Sequence, residues 1–321
     1  MPPSEPRVTV IVLNYNGKTY VEPCLNSLFR NNYPNFEVLF IDNDSPDKSA
    51  EIAARLFHYE PRFKLIRNKK NLGFSAGNNL GFKVASAKYV IVLNNDTQVE
   101  EKFIEIMVRT AEMDEKIGSV GCKIVQLDGR ILYGPQYMNY GFIIHAFHKS
   151  TYEKSTTVLA NCGCATLFRK SLVDRIGGFD PYLWTDWEDH DLGYRINSAG
   201  YKCTYTPETT VLHLGGGNYL GVSRERQIRI IRNKLFVYVK NYQAINLVFR
   251  VPLIWIKGLL TYVKNKEATT FLKGTKESLS IWPVIQERKR ILKNRNTSDK
   301  EIFEACRIPE NVTFLQTMKN M

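Results

Sequence analysis

Two groups of acidic residues hold the best prospect of chemistry in this 321-residue chain. Asp96 closes the apolar run Tyr89–Leu93 after two asparagines, Asn94 and Asn95. Asp186, Glu188, Asp189 and Asp191 fall within six residues, beside Trp184 and Trp187. A carboxylate at a strand end is a hard oxygen ligand, and Mg2+ takes only one or two such groups plus substrate phosphates. A second carboxylate, walled by tryptophan, is suited to accept a proton from an attacking hydroxyl. The plainer alternative is a solvated helix start, because Asp and Glu favour the positive first turn. It covers Asp186 and Asp191 well and leaves the tryptophans without a role. His213, just before Gly215–Gly217, reads by spacing alone as structural, and His58, His145, His148 and His190 receive no role. Asn71–Asn79 has neither a P-loop lysine nor the G-x-G-x-x-G order. Six cysteines without a C-x2-C pair make neither a disulfide scaffold nor a zinc site, and Cys162–Cys164 reads as a strand of small residues.

The elements that must position these residues follow from periodicity. Val8–Leu13, Glu37–Ile41, Phe63–Ile66 and Tyr89–Leu93 are short β-rich apolar runs, and helical patterns fall between them, the last over Ser75–Ala87. Runs that are apolar on both faces and separated by helices predict a mostly parallel α/β sheet covered on both sides. In such sheets ligands collect beyond the carboxyl ends of the strands. Three of these four ends carry Asn or Asp: Asn14 and Asn16, Asp42–Asp44, and Asn94–Asp96. One such end would be an ordinary turn; three on one edge favour a site for a polar ligand. Further along, Gly134–Thr157 reads as loop with short strands and Ala160–Phe168 as a buried strand. Ser171–Ile176 and Glu188–Ala199 read as helices, the second with Gly200 at its C′ position, and Lys202–His213 as a last strand.

The net charge of +12 is concentrated in one segment, since residues 224–300 hold 18 basic and 5 acidic residues. The pattern divides the chain into 1–217, an α/β unit, and 218–321, a basic and mainly helical extension, with the boundary in Gly215–Asn218. Ala244–Val263 is long enough to span a bilayer, but Arg250, Pro252 and Lys257 lie inside it, and each central charge costs roughly 2.5–3.5 kcal/mol. Aromatic residues mixed with Lys and Arg suit a helix lying on an anionic leaflet, and equally one packed on its own domain. No nucleic-acid recognition motif accompanies the basic residues. Met1–Arg7 has no apolar stretch of a cleaved signal, so a reducing, cytoplasmic setting is expected, peripheral at the cell membrane.

Taken in order, Val8–Gly17 (VTVIVLNYNG), Phe40–Ser45 (FIDNDS), Asn71–Asn79 (NLGFSAGNN), Leu93–Thr97 (LNNDT) and Trp187–Leu192 (WEDHDL) resemble the motifs of family 2 glycosyltransferases, most closely the rhamnosyltransferase-like branch. The likeness covers about residues 7–235.

The resemblance implies a GT-A fold, Rossmann-like with helices on both sheet faces, and inverting transfer of a sugar from a UDP- or dTDP-sugar. Asn14, Tyr15 and Asn16 would line the nucleotide pocket, and Asp42 would bind the base. Gly73, Phe74 and Asn78 would form the donor-binding helix start. Asn94–Asp96 corresponds to the family's DxD motif, with Asn95 in its middle, Asp96 as ligand of Mg2+ or Mn2+, and Asn94 near ribose or sugar; Asn replaces the first Asp and removes one negative charge. Asp189 matches the general base, and Glu188 would contact donor or acceptor. His213 matches a histidine that completes the metal site in some members. Trp184, Trp187 and Asp191 would face the acceptor, a glycan or lipid-linked glycan of cell-surface polysaccharide or glycoconjugate synthesis. Two competing readings are a sugar-phosphate nucleotidyltransferase, whose basic Gly-rich loop is missing after the first strand, and a non-catalytic sugar-nucleotide or glycan-binding module. Sugar, linkage and oligomeric state have no signal in the residues.

Overall fold

A computed structural model describes residues 5–139, 142–145, 149–215, 222–280 and 282–309. The first half alternates strands and helices: β1 (Val8–Asn14), α1 (Val21–Phe29), β2 (Phe36–Asp42), α2 (Ser49–Phe57), β3 (Phe63–Arg67), α3 (Gly73–Val84), β4 (Tyr89–Asn94), β5 (Thr97–Val99) and α4 (Phe103–Glu112). Then come β6 (Ile117–Gln126), β7 (Ile131–Tyr133), the hairpin β8 (Gln136–Asn139) and β9 (Phe142–His145), α5 (Lys149–Tyr152), β10 (Thr156–Val158), β11 (Ala165–Arg169) and α6 (Lys170–Ile176). The chain continues with α7 (Glu188–Ser198), β12 (Lys202–His213), α8 (Arg224–Asn241), α9 (Ala244–Lys264), α10 (Ala268–Glu277), α11 (Trp282–Lys293) and α12 (Asp299–Ala305).

The central sheet runs β10-β12-β6-β11-β4-β1-β2-β3. β4, β1, β2 and β3 are parallel, as the doubly apolar runs predict. β11 lies antiparallel to both β4 and β6, and β12 is parallel to β6. Strands β6 and β12 therefore point the same way as β4. The carboxyl ends of β1, β2, β4 and β12 share one edge with the amino end of β11.

Alternation along β1 sorts the core. Val8, Val10 and Val12 pack with α1, α2 and α4 on one face, and Ile11 packs with Phe82 of α3 and with α6 and α7 on the other. Gly77 and Gly81 let α3 approach β1, since a Cβ on either would press into Leu13 or Ile11. Gly200 adopts φ +82° after α7, the left-handed position that stops the helix.

Three expectations need correction or restriction. Cys162–Cys164 is not strand but the turn before β11, and all six cysteines are free. Residues 216–221, where the boundary between the two units is expected, and His148 lie outside the described residues. The C-terminal helices pack against the α/β half: Tyr238, Tyr242 and Ile254 share a buried cluster with Tyr194 of α7, and Phe236, Val237 and Val284 share another with Leu183.

Candidate active site

The strand ends are tied together by amides. Asn14, fully buried at the end of β1, donates from Nδ2 to Asp42 Oδ1 (2.8 Å), Ser45 Oγ (3.0 Å) and Ser49 Oγ (2.7 Å). Its Oδ1 accepts from Asn95 Nδ2 at 2.7 Å, so one side chain brackets β1, β2 and the turn after β4. Gly17 keeps this bracket open, because a Cβ there would overlap Asn14 Oδ1 and Asn95 Nδ2. Asn14 thus positions the pocket rather than lining it, since its polar atoms are spent inside the protein. Tyr15 and Asn16 are exposed at the same edge, Asn16 with φ 54°. Asp42 is buried and also accepts from the Ser45 amide.

Asn43, which had no sequence signal of its own, holds the start of α3. Its Oδ1 accepts from Asn68 Nδ2 and the Leu72 amide (each 3.0 Å), and its Nδ2 donates to Asn71 Oδ1 (2.8 Å). Gly73 has φ +74°, and a Cβ on it would meet the Trp184 ring at 2.5 Å, so only glycine fits the seat. The Ser75 amide donates to the Trp184 carbonyl at 3.0 Å. Asn78 is buried; its Nδ2 bonds the Phe74 carbonyl, and its Oδ1 has no partner among the described residues.

Beyond β4 the chain turns at Asn94–Thr97, with Thr97 Oγ1 donating to the Asn94 carbonyl at 2.7 Å. β5 then pairs with β12, matching Thr97 with His213. The pairing brings Asp96 Oδ2 to 3.6 Å from His213 Nε2, an association the 116 intervening residues conceal. The Leu214 amide donates to the Asp96 carbonyl at 2.7 Å. Asp96 Oδ1 and His213 Nδ1 are buried, with no hydrogen-bond partner among the described residues. Unpaired buried polar atoms are costly, so two of them on one oxygen and nitrogen pair fit a divalent cation. Among the described residues no group of three His, Cys, Asp or Glu could hold a metal alone.

The second acidic group reaches the same edge through the turn before β11. The Asn94 amide donates to the Cys164 carbonyl (2.9 Å), and the Gly163 amide points to Asp189 Oδ2 (3.4 Å). Burial raises the thiol pKa of Cys162 and Cys164; the Asp189 charge adds to the first, and Cys162 and Asp96 add to the second. The two acidic groups therefore flank one three-residue turn. Asp189 Oδ1 lies 2.7 Å from His190 Nδ1 and accepts from the His190 amide at 2.7 Å. His190 had no role in the sequence pattern; its place beside Asp189 in the first turn of α7 was the available signal. Glu188 is buried, with Oε2 unpartnered among the described residues; burial, then the Asp189 charge, raises its pKa well above the usual carboxylate range. A carboxyl with a raised pKa tends toward the neutral form, which can donate a hydrogen bond.

Asp191 and Trp187 sit differently from the expected acceptor contacts, and Asp186 and Asp191 are not the solvated helix start of the alternative. Asp191 is fully buried against Arg195 (2.9 Å), Lys240 (2.8 Å) and Asn241 (2.8 Å), so no acceptor reaches it. Burial alone would raise its pKa, but Arg195 and Lys240 outweigh that and hold it at about 2. Trp187 is half-buried, its ring 4.5 Å from His190 and 5.9 Å from Tyr238. Trp184, 41% exposed, keeps a ring at the surface of the site.

The loop before α7 is strained: Trp184, Asp186 and Trp187 all have positive φ, at 63°, 71° and 73°. It is clamped from α8. Asn233, fully buried, donates from Nδ2 to the carbonyls of Leu183 (2.8 Å), Thr185 (3.0 Å) and Asp186 (2.8 Å). Arg226 and Arg229 close on the Asp186 carboxylate at 2.9 and 3.2 Å. The basic extension thus holds the loop that leads into α7.

This mostly parallel mixed sheet with helices on both faces and an acidic strand-end site is the GT-A class of glycosyltransferase fold. The chain belongs to glycosyl transferase family 2, whose model matches residues 9–177. It is 28% identical over 222 residues to the O-antigen biosynthesis protein RfbC of Myxococcus xanthus, covering 65% of this chain and 17% of that one. It is 27% identical over 201 residues to the poly-beta-1,6-N-acetyl-D-glucosamine synthase of Staphylococcus aureus (strain COL), covering 62% and 48%. The chain thus spans less than half the length of these relatives. GalNAc-T7, solved with UDP, GalNAc and Mn2+, superposes with a TM-score of 0.68 at 17% identity, covering 94% of this chain and 57% of that one.

Asn233→Ala leaves three loop carbonyls without their donor. Stability is expected to fall by about 1–3 kcal/mol in urea unfolding, and turnover to fall while nucleotide affinity holds; an unchanged turnover would refute the clamp. Asp191 is held below its unfolded value, so its stabilisation is complete above about pH 4 and disappears as pH falls toward 2. The shift corresponds to about 2 kcal/mol. Urea titrations at pH 5, 4, 3 and 2 should show a loss in the wild type that is absent in Asp191→Asn, a variant already weaker at pH 5.

Proposed function

We propose that the chain is an inverting glycosyltransferase moving a hexosyl or deoxyhexosyl group from a UDP- or dTDP-sugar to a hydroxyl of a glycan or lipid-linked glycan, in cell-surface polysaccharide synthesis. One observation carries this reading: the Asp96–His213 pair and the Glu188–Asp189 pair flank the same turn, Cys162–Cys164. Asp96 and His213 would hold Mg2+ or Mn2+ against the donor diphosphate. When bound, the cation neutralises charge developing on the departing nucleotide. The Mn2+ and UDP of the GalNAc-T7 structure support this assignment.

Asp189, oriented by His190 and the Gly163 amide, takes the proton of the acceptor hydroxyl. The hydroxyl oxygen bonds to the anomeric carbon as that carbon's bond to the diphosphate oxygen breaks, and the electron pair leaves with the nucleoside diphosphate. Attack from the face opposite the leaving group inverts the centre, as a water does in inverting hydrolysis. Glu188, neutral in its buried setting, donates a hydrogen bond to donor or acceptor. Trp184 offers a ring face to a sugar.

The reading extends to a membrane surface on the cytoplasmic side. α9 exposes Val248, Phe249, Leu253, Ile256, Leu260 and Val263 along one stripe, and only Ile254 of the helix is buried. By length and composition it is one helix apolar enough to cross a membrane. Of its internal charges, Arg250 turns to the protein, bonding Asn246 (2.6 Å) and standing over the Phe303 ring, while Lys257 is exposed beside Leu253, Ile256 and Leu260, with its ammonium over Phe142. An apolar stripe edged by the exposed Lys257 and Lys264 suits a helix lying in the interface of an anionic bilayer.

Incubation with UDP- and dTDP-sugars and Mn2+ should give slow donor hydrolysis that Asp96→Asn abolishes. Asp189→Asn should cut transfer to a glycan acceptor roughly 10²–10⁴-fold with UDP affinity retained. Binding without turnover across suitable acceptors would instead favour a sugar-nucleotide-binding module. Flotation on phosphatidylglycerol-containing vesicles should recover the wild type and lose most of a Leu253→Asp/Leu260→Asp double variant; equal recovery of both would refute the membrane-facing stripe.

A further inference from the structure

The segment from Asp180 to Asp191 contains the strained loop and Asp189, and one ammonium meets it at both ends. Lys240 Nζ of α8 lies 2.5 Å from Asp180 Oδ2 and 2.8 Å from Asp191 Oδ1. The lysine side chain is buried, as is that of Asp191. The two acids are served unequally. Asp191 also has Arg195 and Asn241, so its charge is opposed without the lysine. Asp180 has no other cation among the described residues; its Oδ1 accepts from the Tyr182 amide at 2.9 Å and starts the turn Pro181–Leu183. The distinct contribution of Lys240 is therefore at the Asp180 end, which it ties to Asp191.

Arg226, Asn233 and Lys240 stand seven residues apart, about two helical turns each, and so share one face of α8. That face follows the segment: Arg226 on Asp186, Asn233 on three carbonyls, Lys240 on both ends. The end of α8 that carries the lysine is itself fixed, since Arg288 Nη1 donates to the carbonyls of Val239 (2.8 Å) and Tyr242 (2.5 Å). Three residues at positive φ strain the loop, and tied ends oppose its relaxation. Asp189 needs such a mount. The Gly163 amide reaches its Oδ2 at 3.4 Å, near the limit of a hydrogen bond, so a small shift at the start of α7 breaks the contact.

We propose that Lys240 is a positioning residue: by holding Asp180 and Asp191 together it sets where Asp189 stands against the turn Cys162–Cys164. The role of Asp189 as base rests on the transferase reading above, and the tie itself does not. Lys240 touches no substrate and acts through the two acids, by charge-assisted hydrogen bonds. Its loss falls on turnover rather than on donor binding, because the Asp96–His213 pair and the Asn14 bracket are built on other strands.

The test measures amide hydrogen exchange, without substrate, in the full chain and in Asp180→Asn, Lys240→Met and the double variant. Asn starts a turn as well as Asp does, so Asp180→Asn removes the charge and keeps the acceptor of the Tyr182 amide. The amides of Leu183, Trp184 and Thr185, each bonded within the segment, and that of Gly163 should exchange about tenfold or more faster in both single variants, with β1 and β2 unchanged. The double variant should be no worse than Lys240→Met, since both changes remove one interaction. With a UDP- or dTDP-sugar and Mn2+, kcat for donor hydrolysis should fall about tenfold to a hundredfold in Asp180→Asn while the donor KM holds. Wild-type exchange at these amides in Asp180→Asn overturns the proposal even if Lys240→Met does not fold. Faster exchange throughout the sheet in Asp180→Asn overturns it too, as do local loosening with kcat unchanged and additive losses in the double variant. A wild type that hydrolyses no donor counts against the transferase reading, and the Gly163 amide then decides alone whether Lys240 places Asp189.

Discussion

β11 runs against both of its neighbours, and the site depends on that reversal. In an all-parallel sheet the residues before a strand lie on the edge opposite the carboxyl ends. Because β11 is inverted between β4 and β6, the turn Cys162–Cys164 that precedes it emerges beside Asn94 and Asp96. That turn presents the Gly163 amide to Asp189. One inverted strand thus joins the strand-end edge made by the first hundred residues to the Glu188–Asp189 pair carried nearly a hundred residues later.

The same edge concentrates acidic groups that repel one another, and the rest of the molecule is arranged to hold them. Asp186 is neutralised by two arginines of α8, and Asp191 by Arg195 and Lys240. Burial and the neighbouring Asp189 charge push the Glu188 pKa up, away from the charged form. Asp189 is left as the carboxylate facing the turn, oriented by a histidine. Strain is handled in the same way: the loop from Trp184 to Trp187 holds three residues at positive φ, and the amide of Asn233 satisfies its carbonyls from the neighbouring helix. The basic extension is therefore structural support for chemistry before it is anything else.

Much of the fold was legible because its signal is local. The apolar runs at Val8, Glu37 and Tyr89 are buried on both faces, so their pattern could be read without partners, and β12 falls on the span its pattern marks. The asparagine and aspartate strand ends were legible for the same reason. The misreadings involve residues whose role is set by what lies across from them. Cys162–Cys164 has the composition of a strand, but its amides and carbonyls are used by Asp189 and Asn94. Asp191 has the look of a surface carboxylate in a first helical turn, yet it faces inward onto Lys240. Asn14 matches a pocket residue in kind and serves as an interior bracket.

The residues themselves determined the alternating strands and helices, the strand-end acids and the concentration of positive charge near the C-terminus, because propensity, periodicity and composition act over a few neighbouring positions. The three-dimensional arrangement decided the rest. It paired Asp96 with His213 through the β5–β12 ladder, brought the Gly163 amide to Asp189, and set Arg250 of α9 over the Phe303 ring. Those are contacts between segments far apart in the chain, and their energies depend on distance and burial, neither of which a linear pattern contains.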